Sequence, residues 1–304
     1  MPAVTVDQLR KSYQDTVALK KESFRVEPGE LFGVIGPDGA GKTTLFRILT
    51  TLLVPDQGQA RVEGFDVVKD YRQIRHITGY MPGEFSLYMD LTVAENLRFF
   101  ATIFDTTIEE NYHLIRDIYQ QIEPFKHRLA RNLSGGMKQK LALSCALIHK
   151  PRVLILDEPT TGVDAVSRKE FWEMLIQLKK QDITILVSTP YMDEAGLCDR
   201  VALIQQGSIM KIDSPARILE DFPRKLWAAR SNQPYKLLQD LREYIDLASV
   251  YPFGDSIHIT HKRDEMDKQQ LEDFLQQRGH PDIEVAPARP TIEDCFMDLM
   301  NQGT

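Results

Sequence analysis

Gly36-Pro37-Asp38-Gly39-Ala40-Gly41-Lys42-Thr43-Thr44 has the composition of a backbone cradle for the phosphates of a nucleoside triphosphate. Glycines let successive N–H groups converge on phosphate oxygens at the positive end of a helix. Lys42 is then expected to reach the β- and γ-phosphates, and the Thr43 hydroxyl an Mg²⁺ ion. A second chemical pair follows the apolar run Val153-Leu154-Ile155-Leu156, where Asp157 and Glu158 stand side by side. Asp157 suits the Mg²⁺ ion, directly or through water, and Glu158 suits polarising the water that attacks the γ-phosphate. Leu133-Ser134-Gly135-Gly136-Met137-Lys138-Gln139 adds a hydroxyl, two glycines and a helix start. Alone, Ser134 reads as a helix N-cap; beside a complete phosphate site, it reads as a second anion-binding helix terminus serving another nucleotide.

These groups need particular elements to hold them. The run 31–35 reads as a short buried strand and 44–49 as a helix, the strand, loop and helix context that a phosphate loop requires. Residues 1–220 alternate strand and helix signals as an α/β nucleotide-binding domain with a parallel-sheet core, interrupted by a helical subdomain at about 88–150. Runs at 153–156 and 184–187 are continuous and apolar, as in strands covered on both faces. Residues 221–304 read as a smaller accessory domain: strand 225–229, helix 235–244, strands 248–251 and 256–260, helix 267–277, strand 283–286, then a helix 291–300. That βαββαβ order predicts a ferredoxin-like α+β domain.

The whole chain of 304 residues carries a net charge of −7, which gives no basic face for nucleic acid. Cys145, Cys198 and Cys295 are widely spaced and unaccompanied by clustered histidines, so they read as ordinary cytosolic thiols. The first residues lack a basic start and apolar core, and no apolar run approaches the ~20 residues that a membrane helix needs. Any membrane role is therefore expected to come through a partner.

Taken together, the phosphate loop, LSGGMKQ, LILDEP and Thr161-Gly162-Val163-Asp164 resemble the ABC ATPases over residues 1–220. The resemblance implies a head-to-tail dimer in which Ser134, Gly135 and Gly136 of one subunit close over ATP held by the other, with Gly162, Val163 and Asp164 crossing the interface. It places Tyr13 where an aromatic stacks on adenine. The tail Ala288-Arg289-Pro290-Thr291-Ile292-Glu293-Asp294-Cys295-Phe296 is similar to that of daunorubicin-resistance-type exporter ATPases, as are Glu84-Phe85-Ser86-Leu87-Tyr88 and Leu91-Thr92-Val93-Ala94-Glu95-Asn96-Leu97. That branch implies integral-membrane permease subunits as partners, received near this stretch, and a place on the cytoplasmic face of the plasma (inner) membrane.

Two positions depart from the family pattern. Gly83 stands where a γ-phosphate-sensing Gln is expected, and Pro190 where the pattern calls for a His. Glu84 is a neighbouring carboxylate that could partly stand in for the Gln, at the cost of bringing negative charge toward phosphate. Proline has neither imidazole nor backbone N–H with which to orient water. The expectation is a site that binds ATP far better than it cleaves it, half of a heterodimer with a catalytically complete second ATPase. The alternatives are a homodimer in which Glu158 suffices, a regulatory subunit with negligible hydrolysis, and an ABC ATPase not tied to transport. Asp38, an acid inside an anion-binding loop, is expected to point outward and carries no catalytic role.

Overall fold

The structure, a computed structural model, describes residues 1–83, 86–263 and 266–302 and divides into two compact units, Met1–Pro215 and Ala216–Thr304. In the first unit, β1 (Val4–Tyr13), β2 (Thr16–Val26), β3 (Leu31–Ile35), α1 (Lys42–Leu49), β4 (Gln57–Val62), β5 (Phe65–Asp66), α2 (Tyr71–Ile77) and β6 (Thr78–Met81) come first. Then follow α3 (Val93–Ile103), α4 (Ile108–Tyr119), α5 (Gly135–Leu147), β7 (Val153–Asp157), α6 (Ala165–Lys179), β8 (Thr184–Thr189), β9 (Arg200–Gln205) and β10 (Ser208–Asp213).

One sheet has the order β10-β9-β3-β8-β7-β6 and is parallel except at its β10 edge, which pairs antiparallel with β9. Every residue of β3, β7 and β8 is buried, which explains their uninterrupted apolar runs: neither face meets water. A second sheet, β2-β1-β4-β5, is wholly antiparallel and is not foreseen by a reading of simple strand and helix alternation. Its strands alternate buried and exposed positions, and its apolar face joins α1 and the first sheet in one core, where Phe24 and Phe32 stack at 5.5 Å.

The helical stretch α3 to α5 is delimited by side-chain caps. Thr92 and Glu95, and Thr107 and Glu110, form reciprocal capping boxes at the starts of α3 and α4. Asn96, fully buried, donates to the carbonyls of Tyr88, Leu91 and Thr92 and accepts from Tyr88 N, fastening the turn that enters α3. Glu84 and Phe85 of that entry lie outside the described residues.

The second unit begins with α7 (Pro215–Glu220), at the boundary, and continues through β11 (Leu226–Arg230), α8 (Pro234–Glu243), β12 (Leu247–Phe253), β13 (Ser256–His261), α9 (Lys268–Gln277), β14 (Glu284–Ala288) and α10 (Ile292–Gln302). Its sheet order β12-β13-β11-β14, antiparallel throughout, is that of a split βαββαβ unit. The tail motif turns out to be the anchor of α10. Asp294, fully buried, accepts from Thr291 N and Oγ1 at 2.7 Å, from Tyr251 OH at 3.1 Å, and pairs with His258 Nδ1 at 2.6 Å. One carboxylate thus caps the last helix and ties it to β12 and β13.

Candidate functional site

The phosphate loop leaves β3 at Ile35 and enters α1 at Lys42. Gly36 and Gly41 are required by close approach: a Cβ would lie 2.0 Å from the Ile204 carbonyl oxygen and 2.3 Å from that of Ala18. Gly41 also adopts φ 106°, in the region open mainly to glycine. It is the N-cap of α1 and supplies no side-chain hydrogen bond, so the helix leaves its first N–H groups to an anion. The start of α5 is different, since Ser134 Oγ accepts there from Met137 N.

Lys42 is buried at 3 % exposure with its ammonium group fully engaged. Nζ donates to the carbonyls of Gly36 at 2.7 Å and Pro37 at 3.0 Å and pairs with Glu158 Oε1 at 3.1 Å. Tyr13, Gly39, Ala40, Gly41, Lys42, Thr43, Thr44 and Glu158 line one open cavity of about 620 Å³, together with Asp38, whose side chain is exposed. Tyr13, at the end of β1, is 44 % exposed and so has a ring face to offer.

Asp157 ends β7 at 1 % exposure. Its Oδ1 accepts from Ser188 Oγ at 2.7 Å and Thr43 Oγ1 at 3.2 Å. Burial raises its pKa above the ordinary value, a shift opposed by those two hydroxyls and by Lys42 and reinforced by the charge of Glu158. The Asp157 carboxylate and the Thr43 hydroxyl are a hard-oxygen donor set too small to cage a cation by themselves, and they suit Mg²⁺ that takes its remaining ligands from phosphate and water. Thr43 and Asp157 therefore fit that ion.

Glu158 adopts φ 49°, a left-handed conformation costly for a residue with a side chain. Its N–H is held by Ser188, by Oγ at 2.9 Å and by the carbonyl at 3.1 Å. Ser188 is a functional position that the motif reading misses. Its signal is the strand register: β7 and β8 pair in parallel with Asp157 opposite Ser188, so aligning the two apolar runs would have found it.

Gly83 and Pro190 flank this chemistry. A Cβ on Gly83 would sit 3.2 Å from the Asp157 carbonyl oxygen, and Gly83 shares a cavity of about 500 Å³ with Thr43, Arg47, Asp157, Glu158 and Thr161. Pro190 directly follows β8, whose last residue, Thr189, pairs with Ile35 and accepts from Gly36 N at 3.3 Å. Gly135 and Gly136, which follow the N-cap Ser134, are brought to a different neighbour. A Cβ on Gly135 would lie 3.5 Å from Val163, and one on Gly136 2.5 Å from Ser167 Oγ, so the signature packs on the Gly162, Val163, Asp164 loop and the first turn of α6. Asp164 is the N-cap of that helix, accepting from Val166 and Ser167 N.

A family model described as ABC transporter matches residues 19–161. Nod factor export ATP-binding protein I of Rhizobium sp. (strain N33) is 32% identical over 301 residues, 98% of this chain and 96% of that protein. This chain belongs to the ABC transporter ATP-binding family. The probable multidrug ABC transporter ATP-binding protein YbhF of Escherichia coli (strain K12) is 37% identical over 303 residues, and the chain spans about half of its length, 52%. Among solved ABC structures, CbiO1 of Clostridium perfringens, part of the ABC transporter complex cbiONQ, superposes over 72% of this chain and 91% of its own with a TM-score of 0.64 at 26% identity. The fold is thus the P-loop ABC ATPase fold with its helical subdomain. Among the described residues, no helix of this ABC subunit is long and apolar enough to cross a membrane.

Proposed function

We propose that this chain is the ATP-driven motor subunit of a multicomponent membrane exporter of the daunorubicin-resistance type, and that it supplies the slow half of an ATPase heterodimer. The observation that carries the reading is one site with an intact binding and base apparatus, Lys42, Thr43, Asp157 and Glu158, flanked by Gly83 and Pro190. Incoming phosphate takes the Lys42 ammonium from Glu158, which then accepts a proton from the attacking water. Mg²⁺, held by Thr43 and Asp157, neutralises phosphate charge when bound. At this site no side chain at positions 83 or 190 assists, and loss of one such donor typically costs ~10² to 10³ in rate.

Gly135 and Gly136 sit against Val163 and Ser167, and none of Ser134, Gly135 and Gly136 lines the nucleotide cavity, which favours their action on the partner's ATP. The complete signature would then serve a second, faster site. Tyr13 stacks on the adenine, Gly162, Val163 and Asp164 cross the interface, and residues 221–304 form an accessory domain. An apolar groove of about 440 Å³, lined by Leu52, Leu87, Phe100, Ile103, Phe104 and His149, receives a permease segment at the cytoplasmic face of the membrane.

The test is steady-state MgATP turnover of the purified chain, alone and with candidate second ATPases, beside a nucleotide-binding assay and a Glu158→Gln control. Tight binding with turnover at or near the control, rescued in a mixed dimer, is the expected outcome. Robust turnover by the chain alone, abolished by Glu158→Gln, makes it a self-sufficient homodimeric motor instead.

A further inference from the structure

Glu194 lies in the short 3₁₀ helix Met192–Leu197 just beyond β8 and is only 2 % exposed. A carboxylate so placed is expensive unless its oxygens are paired. Both are: Oε1 accepts from Thr160 Oγ1 at 2.9 Å and Oε2 from Thr189 Oγ1 at 2.5 Å, while Arg168 Nε stands 3.8 Å from Oε1. Thr160 and Thr189 are themselves buried, at 1 % and 0 %.

The partners belong to three segments of the site. Thr160 is two residues beyond Glu158, and Thr161 N donates to the Glu158 carbonyl at 3.2 Å. Thr189 holds Gly36, the first residue of the phosphate loop, through its own carbonyl. Arg168 donates to the carbonyl of Asp164 from its backbone N, to Asp193 at 3.1 Å from its guanidinium, and lies over the Tyr191 ring at 4.8 Å. One carboxylate therefore links the segments carrying the base, the phosphate loop and the Asp164 loop.

We propose that Glu194 is a positioning residue for ATP hydrolysis: it sets Glu158 against the phosphate loop through Thr160 and Thr189, the task left without a side chain at Pro190. Glu194 touches no substrate and acts through the backbone that carries Glu158. The proposal rests on the hydrolytic reading above, so its test separates the two.

Thr160→Val removes one donor without changing the side chain's volume, and Thr160→Ser keeps the hydroxyl. Where the full chain, alone or in a mixed dimer, turns over MgATP above its Glu158→Gln control, Thr160→Val lowers that Glu158-dependent kcat by about 10- to 100-fold, as expected for a misplaced base. It leaves KM and nucleotide affinity within about threefold, and Thr160→Ser restores kcat. Hydrogen exchange needs no turnover: amides 158–164 of Thr160→Val exchange about tenfold faster or more, from the lost bond to a buried carboxylate, while 36–43 are unchanged. Glu194→Gln, which keeps one acceptor, falls between the wild type and Thr160→Val. Where the wild-type chain alone turns over no faster than Glu158→Gln, as the slow-half reading expects, the exchange pattern decides the positioning role alone; robust turnover by the chain alone sinks the slow-half reading and leaves the kcat comparison to decide the role. The role is overturned if 158–164 exchange at the wild-type rate in Thr160→Val, or if exchange, affinity and turnover all worsen together throughout the chain.

Discussion

Pro190→His is the substitution whose effect the structure constrains most tightly, because it moves activity and stability in opposite directions. The backbone that carries position 190 is fixed on both sides: Thr189 pairs with Ile35, its carbonyl accepts from Gly36 N, its hydroxyl is held by Glu194, and Tyr191 N donates to Thr189 Oγ1 at 3.0 Å. A histidine placed there starts one residue beyond Thr189, whose carbonyl holds the phosphate loop at Gly36, on a scaffold that need not move. The stake is the ~10² to 10³ in rate, about 2.7 to 4 kcal/mol, that one transition-state donor typically supplies. Gly83 remains silent in the single variant, so a gain of about tenfold in turnover is the expected share, with nucleotide affinity unchanged. Adding Gly83→Gln raises it further; Gly83 lacks a left-handed φ, and its Cβ needs only slight yielding by the Asp157 carbonyl at 3.2 Å. Folding responds the other way, since replacing proline frees the unfolded chain and costs about 0.4 to 1 kcal/mol. The assay is MgATP turnover of the full chain, nucleotide titration and a thermal melt on the same preparation. Turnover that is unchanged or lower, with binding intact and the melt slightly depressed, refutes the argument that position 190 limits this site.

Asp157→Asn should abolish Mg²⁺-dependent nucleotide binding yet raise the melting temperature of the nucleotide-free chain near neutral pH. Burial holds the Asp157 pKa above its unfolded value, so its favourable protonated form is fully present below the ordinary carboxylate range and lost as pH rises through the folded value. The gain from asparagine is therefore largest at neutral pH and vanishes toward about pH 4; a variant that melts lower than wild type at neutral pH contradicts this. Asp294→Ala strands hydrogen-bonding groups of His258, Tyr251 and Thr291 N and Oγ1, and at about 1 to 3 kcal/mol for each buried polar group left unsatisfied a cost of at least about 3 kcal/mol is expected, read by denaturant unfolding. Loss of less than about 1 kcal/mol means that water or a neighbour replaces the carboxylate.

What the sequence makes legible is whatever is local. The strand at Leu31–Ile35, the glycines that follow and the helix at Lys42–Leu49 lie in one contiguous stretch, and each announces its conformation through burial or backbone freedom. The split motif of the second unit is legible for the same reason, because Gly254 and the alternating runs around it mark β12 and β13 directly. Ser188 and Glu194 are not. A serine at the end of an apolar run and a glutamate in an acidic turn look ordinary until parallel pairing sets one beside Asp157 and burial closes the other around Thr160. The antiparallel β2-β1-β4-β5 sheet is hidden for a related reason: β1 and β2 slip register more than once, which blurs the two-residue period that would announce them. In the tail, resemblance singles out Thr291 and Asp294, but only the fold brings Tyr251 and His258 to them.

The Lys42–Glu158 pair makes the resting site its own counter-ion reservoir. Nucleotide does not enter an open positive hole; it displaces one anion from a single ammonium, and the displaced carboxylate is the very group that the next step uses. Affinity and reactivity are consequently drawn from the same exchange. Neutralising Glu158 does two things at once: it removes the proton acceptor, and it withdraws the competitor that ATP must evict. Glu158→Gln is then expected to hold nucleotide in a deeper bound state as well as to stall the reaction, and part of that depth to fade as salt screens the rivalry between the two anions.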